Sequence, residues 1–115
     1  MKQDDRVHLQ HRLDAAREAL QFMQGRTRTD LDTDRQLTLA VVKAIEIIGE
    51  AAYRISESTQ QQYPQIPWGD IVGMRHRLVH GYYEIDLDIV WATVQNELPP
   101  LITQLETILQ NDNSV

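Results

Sequence analysis

Apolar residues recur with a helical period through most of this chain, and no stretch keeps the alternation of a β-strand. Two long stripes carry the pattern, each with apolar positions three or four residues apart. The first predicts a helix from about Asp5 to Gln24, closed by Gly25. The second, from Leu37 to Ile55, predicts a central helix of about 25 residues. A chain with this pattern can bury its apolar faces only by packing helix against helix.

The segments between and after these stripes carry breakers and caps. Residues 25–34 are polar and are predicted as a connecting loop, with three capping candidates: Asp30, Asp32 and Thr33. Residues 56–67 are glutamine-rich and bounded by proline, which favours a loop or one frayed turn. Trp68 is expected to open a third helix that runs toward His80.

A fourth helix is predicted from Leu87 to Leu98, capped by Asp86. It should bury three apolar residues, Val90, Trp91 and Val94. Pro99 and Pro100 should then kink the helix or restart it, because proline fits the first helical turn but not the interior. The fold class predicted is all-α, an antiparallel bundle of four to five helices in one domain, residues 1–115.

Composition limits the classes of function. The chain has 11 basic and 17 acidic residues, and a net charge of −6 argues against a broad nucleic-acid-binding surface. There is no cysteine, which excludes thiol chemistry. No apolar run reaches membrane-span length, and the polar N-terminal residues do not resemble a signal peptide. A cytoplasmic location is therefore expected.

Residues 75–83, RHRLVHGYY, concentrate the chemistry of the chain. An arginine can hold a phosphate through two parallel hydrogen bonds, and a histidine takes or gives a proton near neutral pH. RNA carries its own nucleophile in the 2′-hydroxyl, so its cleavage needs only a base, an acid and charge stabilisation at phosphorus. This stretch is therefore the candidate site for phosphodiester chemistry.

The same stretch resembles the R-x4-H-x-Y signature of HepT-like toxins, which are members of the HEPN superfamily of helical ribonucleases. The resemblance extends to three further segments: KAIEIIGEAAYRIS (43–56), PQIPWGDIVGMR (64–75) and YEIDLDIVWATVQNELPPLI (83–102). It implies that Arg75 and His80 are the catalytic pair of an endoribonuclease that uses no metal or other cofactor. His76 fills a polar position that often follows the arginine.

The resemblance also implies how the ribonuclease activity is controlled and how the chain assembles. Tyr82 matches a tyrosine that receives AMP from ATP in the HepT-like group, transferred by a small nucleotidyltransferase antitoxin called MntA. HEPN ribonucleases typically place their motif at a dimer cleft. Dimerisation also answers a geometric difficulty, since on a regular helix His80 points roughly 140° away from Arg75. A two-fold axis beside His80 would supply a second imidazole, and a left-handed Gly81 would turn the chain there. We expect an obligate homodimer.

Structural alternatives stand beside these roles. Arg75 and Arg77 could simply favour the C-terminal end of a helix. His76 and His80 have metal-ligand spacing on a helix, and a site could be completed by Glu84, Asp86 or Asp88. Tyr82 and Tyr83 could be half-buried packing residues, which is the preferred interpretation for Tyr83, and Trp68 and Trp91 are expected in the core.

Glu50 lies among apolar residues of the central helix, and two interpretations carry similar weight. It is a solvated residue at the edge of the stripe, or it orients Arg75 across the bundle.

The function predicted is the toxin of a type VII-like toxin–antitoxin system, an endoribonuclease silenced by AMP on Tyr82. Its expected partners are RNA, a second copy of the chain and an MntA-like nucleotidyltransferase, without a membrane. The alternative is a non-catalytic helical adaptor that docks such a nucleotidyltransferase. No base-reading platform is evident, so the sequence does not indicate which RNA is cut.

Overall fold

The computed structural model describes residues 1–80 and 84–113. Within them the chain forms eight α-helices, one π-helical turn and one pair of two-residue strands. The elements are α1 (Gln3–Met23), α2 (Arg28–Thr33), α3 (Arg35–Tyr53), α4 (Glu57–Gln62), α5 (Trp68–Val72), α6 (Met74–Leu78), β1 (Val79–His80), β2 (Glu84–Ile85), α7 (Leu87–Ala92), a π-turn (Thr93–Glu97) and α8 (Leu98–Asn113).

The two long predicted helices are present and form the centre of the core. α1 agrees with the predicted range to within two residues at each end, and Gly25 lies just beyond it with φ +72°, the left-handed conformation expected at a helix C-terminus. α3 has 19 residues, fewer than predicted. It packs lengthwise against α1, and fully buried residues fill the interface: Leu9, Ala16, Val41, Ile45 and Ile48.

The connection between these helices is more ordered than predicted. Residues 28–33 form the short helix α2, which begins where the backbone amide of Thr27 donates to the Asp30 carboxylate at 2.7 Å. Asp34, which was not among the predicted caps, accepts a hydrogen bond from the Leu37 amide at 3.1 Å and so begins α3. The loop prediction was wrong here because local capping by aspartate stabilises a helix that has no long apolar stripe.

Helix α4, in the segment predicted as a loop or frayed turn, is held by one buried carboxylate. Asp5 on α1 accepts hydrogen bonds from the Ser56 amide at 2.9 Å, from the Thr59 hydroxyl at 2.6 Å and from the Ser56 hydroxyl. Burial by itself raises the pKa of Asp5, but these hydrogen bonds outweigh burial and hold the pKa below its usual value. The N-terminus of α4 is thereby fixed to α1.

The predicted third helix from Trp68 to His80 is wrong in its second half. It is interrupted at Gly73 between α5 and α6, and the helix ends at Leu78. His80 lies instead in β1, which pairs antiparallel with β2 in the register Val79↔Ile85 and His80↔Glu84. Strands of two residues are too short to show an alternating pattern, so they could not be predicted from the sequence.

The C-terminal half agrees with its prediction more closely. Asp86 caps α7 by accepting from the Ile89 amide at 3.1 Å. Val90 and Val94 are buried, whereas Trp91 is only partly buried against the core. The π-turn separates α7 from α8, and Pro99 and Pro100 lie in the first turn of α8, as a restarted helix requires.

The fold is predominantly helical, which agrees with the predicted all-α class. The short helices α2 and α4 and the division at Gly73 raise the number of helices above the four to five predicted. α3 packs between α1 on one side and α5 and α6 on the other, and α8 covers the free side of α1. No helix within residues 1–80 and 84–113 is long and apolar enough to cross a membrane.

Candidate active site

The motif lies at the junction of a helix and a strand. Arg75 and His76 belong to α6, and His80 is the second residue of β1. His76 is exposed, while Met74 and Leu78 on the same helix are buried and fix α6 to the core. Tyr82, the predicted AMP acceptor, lies outside the described residues, as do Gly81 and Tyr83.

The change from helix to strand separates His76 and His80. Because α6 ends at Leu78, their four-residue spacing does not put them on one helical face. The helical metal-site alternative depended on that shared face, and so it loses its geometric basis. The same change removes the helical angle that separated His80 from Arg75.

Asp86 connects the motif strand to the next helix. Its backbone amide donates to the Leu78 carbonyl at 2.6 Å, directly beyond the ladder between β1 and β2. Its side chain caps α7 at the same time. A single residue therefore ties the position of β1 to the start of α7. Only its capping of α7 was predicted from the sequence.

The sequence did not reveal how closely α3 approaches the motif helices. At Gly49 an added Cβ would lie 3.3 Å from the Ile71 carbonyl oxygen and 3.7 Å from that of Val72. Only glycine allows α3 and α5 to meet at this distance without a shift of one of them. The glycine stands inside a helical stripe, where such a residue indicates close packing.

Arg77 has a structural role in this arrangement. Its guanidinium donates to the Asp70 carbonyl at 3.4 Å and pairs with Glu97 of the π-turn at 3.3 Å. These contacts connect α5, α6 and the π-turn beside a cavity of about 310 Å³. The alternative that Arg77 merely interacts with a helix end is thus replaced by specific contacts.

Glu50 is exposed and lies away from the α5 contact made by Gly49. It lines a shallow depression of about 250 Å³ between α1 and α3, together with His8, His11, Ile47, Ala51 and Arg54. This placement agrees with a solvated edge position. The role of Glu50 in orienting Arg75 stays a prediction.

The comparison with known proteins identifies the class. The family model described as ribonuclease HepT-like matches residues 12–108. A protein named "probable ribonuclease HepT" from Thermococcus cleftensis is 34% identical over 95 residues, covering 79% of this chain and 86% of its own. A protein named "putative RNase" from Caldanaerobacter subterraneus is 34% identical over 107 residues, covering 93% and 96%. No solved structure matched the chain significantly.

The chain is helical and carries this motif at a helix-to-strand junction, and a ribonuclease family matches it over most of its length. These findings define it as an endoribonuclease. The chain belongs to the HepT-like ribonuclease family.

Proposed function

We propose that this chain is the toxin of a toxin–antitoxin pair and that it cuts RNA without a metal ion. The observation that carries the proposal is the position of the motif: Arg75 and His76 on a helix anchored in the core, and His80 on the strand that follows it. The junction is stabilised on both sides, by Leu78 within the core and by Asp86 across the ladder.

The chemistry follows from these residue types. A base removes the proton from the 2′-hydroxyl, the 2′-oxygen attacks phosphorus, and an acid protonates the departing 5′-oxygen. The products are a 2′,3′-cyclic phosphate and a 5′-hydroxyl. His80 moves the proton, Arg75 neutralises the charge that builds on the phosphoryl oxygens, and His76 assists from the exposed face of α6.

Two imidazoles are needed if one acts as base and the other as acid. One chain offers a single His80, so the second comes from another copy of the chain across a two-fold axis. The purified protein should accordingly have twice the 13.3 kDa mass of one chain.

Control is proposed to act at Tyr82, two residues after His80. A nucleotidyltransferase partner would transfer AMP from ATP to the phenol, with release of pyrophosphate. The adduct brings a negative charge and a nucleoside to the place where an RNA phosphate must bind.

The test of catalysis is cleavage of RNA by purified protein in the presence of EDTA. His80→Ala and Arg75→Ala should each lower the rate by roughly 10²-fold or more, as expected when an acid–base or electrostatic group is lost. His11→Ala is the matched control, because His11 is an exposed histidine on α1, remote in sequence from the motif. It should cleave like the wild type.

Three outcomes would contradict the proposal. Cleavage by both motif variants at the wild-type rate would remove the motif from catalysis. Loss of all activity in EDTA would require a metal. An inactive wild-type protein that still binds a nucleotidyltransferase would favour the adaptor.

A further inference from the structure

Most arginines of this acidic chain are neutralised by its own carboxylates. Ion pairs hold five of them at 2.7 to 3.6 Å: Arg6 with Asp112, Arg17 with Glu106, Arg26 with Asp34, Arg28 with Asp88, and Arg77 with Glu97. Arg35 and Arg54, at opposite ends of α3, are both exposed and have no carboxylate within ion-pair distance among residues 1–80 and 84–113. These two side chains are thus available to an external anion.

Only one of the two lies beside the motif. Arg35 lines a cavity of about 230 Å³ between α2, the start of α3, β2 and the start of α7. Ile85 of β2 lines the same cavity and pairs with Val79 of the motif strand. Arg54 lines the depression between α1 and α3, about 28 Å further along α3 at 1.5 Å per residue.

The walls of this cavity have two chemical characters. Its apolar residues are Leu31, Leu39, Ile85 and Leu87, and Leu39 is 45% exposed. Its polar residues are Asp32, Thr38 and Arg35. The Asp32 carboxylate is held by Arg28 at 3.1 Å, and the Thr38 hydroxyl donates to the Leu31 carbonyl at 2.8 Å. Arg35 therefore provides the one cationic group of the lining that lacks an internal partner.

We propose that this cavity is a subsite for one nucleotide of single-stranded RNA next to the scissile phosphate. Arg35 binds the flanking phosphate, and the apolar wall at Leu39 contacts the base. A cavity with a mixed polar and apolar lining, in which one guanidinium has no ion pair, is complementary to a base linked to a phosphate. The volume is below the roughly 300–1,000 Å³ of sites for larger ligands, which favours a single nucleotide. This inference rests on the proposed function, because it takes RNA as the substrate of the adjacent motif.

The test measures binding apart from cleavage. In a His80→Ala background, which leaves RNA intact, a labelled single-stranded RNA is titrated at several salt concentrations by fluorescence anisotropy. Arg35→Gln should weaken binding by about tenfold, the loss typical of one charge-assisted hydrogen bond. It should also reduce the slope of log affinity against log salt by about 0.7, the value for one phosphate contact on a single strand. In the otherwise wild-type enzyme Arg35→Gln should raise KM and leave kcat nearly unchanged.

Arg54→Gln is the matched control, with the same residue type, the same helix, similar exposure and the same lack of an ion pair. The changes that Arg54→Gln causes in RNA affinity and in the salt slope should each be less than half of those caused by Arg35→Gln. Leu39→Asn should weaken binding without changing the salt slope, because it removes base contact but no charge. Arg35, Leu39 and Arg54 are exposed, so polar residues at these positions should leave the fold intact. A thermal melt of each variant checks this.

Equal effects of the two arginine variants would overturn the subsite, since they would reflect overall charge. So would an unchanged salt slope for Arg35→Gln. If Arg35→Gln binds RNA normally but is no longer silenced by AMP addition, the cavity holds the nucleotide attached to Tyr82 and the RNA assignment fails. If wild-type protein does not cleave RNA, yet binding depends on Arg35 as expected, the subsite stands and the proposed function fails.

Discussion

At the residue scale, the least expected feature is a fully buried arginine. Arg12 on α1 has no exposed surface, and none of its three guanidinium nitrogens has a hydrogen-bond partner within the described part of the chain. Its charge lies over the Trp68 ring, 5.0 Å from the centroid. The sequence did not predict that Arg12 is in the core, because arginine is rarely buried without a partner. A cation–π contact recovers only part of the cost of desolvation.

Replacement of Arg12 by methionine should therefore stabilise the protein. Burial lowers the pKa of Arg12 to about 10, a depression that corresponds to roughly 3 kcal/mol of unfavourable burial of charge. Methionine keeps much of the volume, so Arg12→Met should raise the free energy of unfolding by about 1 kcal/mol or more after loss of the contact with Trp68. Urea denaturation at pH 7 measures the change.

The difference in free energy of unfolding between Arg12→Met and the wild type should depend on pH. Below pH 10 the guanidinium is charged in both the folded and the unfolded chain, so the penalty is fully present. As pH rises through about 10, the folded protein loses the proton while the unfolded chain keeps it, and the penalty shrinks. The advantage of Arg12→Met in free energy of unfolding should accordingly begin to narrow as pH rises above about 10. A variant less stable than the wild type at pH 7 would mean that the contact with Trp68 outweighs the cost of burying the charge.

At the scale of elements, the sequence predicted what depends on long apolar periodicity and missed what depends on single close contacts. α1, α3, the Asp86 cap and the restart at Pro99 were visible because each has a repeated or local chemical signal. The break at Gly73 and the pairing of β1 with β2 were not, because they depend on how α6 meets α7 in space. For the same reason Arg75 and His76 lie on a helix as predicted, whereas His80 was predicted on the wrong element.

Gly49 and Gly69 allow this dependence on close contact to be measured. Both are helical, and alanine in place of an exposed helical glycine is worth about 0.5–1 kcal/mol of stability. Gly69→Ala should realise that gain, since an added Cβ meets nothing within 4 Å. Gly49→Ala should be less stable than Gly69→Ala by roughly 1 kcal/mol or more, because its Cβ is forced to 3.3 Å from the Ile71 carbonyl. Thermal melts of the pair give the comparison, and equal stabilisation of both would show that α3 and α5 can separate at no cost.

At the scale of the whole molecule, function is proposed to depend on what binds to a small, acidic helical domain. The net charge of −6 gives RNA no general attraction, so binding must come from a few local cations, which we propose are Arg75 in the motif and Arg35 beside it. A surface with so few cationic contacts is easily disabled by one added negative charge. At an effective dielectric of about 20, two unit charges about 6 Å apart repel by roughly 3 kcal/mol, enough for about a hundredfold loss of binding.

Tyr82→Phe should therefore separate activity from control. The phenol takes no part in the proposed proton transfers, so the variant should cleave RNA within about twofold of the wild-type rate, yet it has no hydroxyl to accept AMP. Each protein is incubated with ATP and a candidate nucleotidyltransferase partner, then analysed by intact-mass and peptide mass spectrometry before the ribonuclease assay. Wild type should gain AMP on the peptide that contains Tyr82 and lose activity, whereas Tyr82→Phe should gain none and stay active.

Tyr83→Phe is the matched control at the neighbouring phenol and should behave like wild type. An adduct on Tyr83, or silencing of Tyr82→Phe to the wild-type extent, would show that control acts elsewhere even if His80 remains the catalytic group.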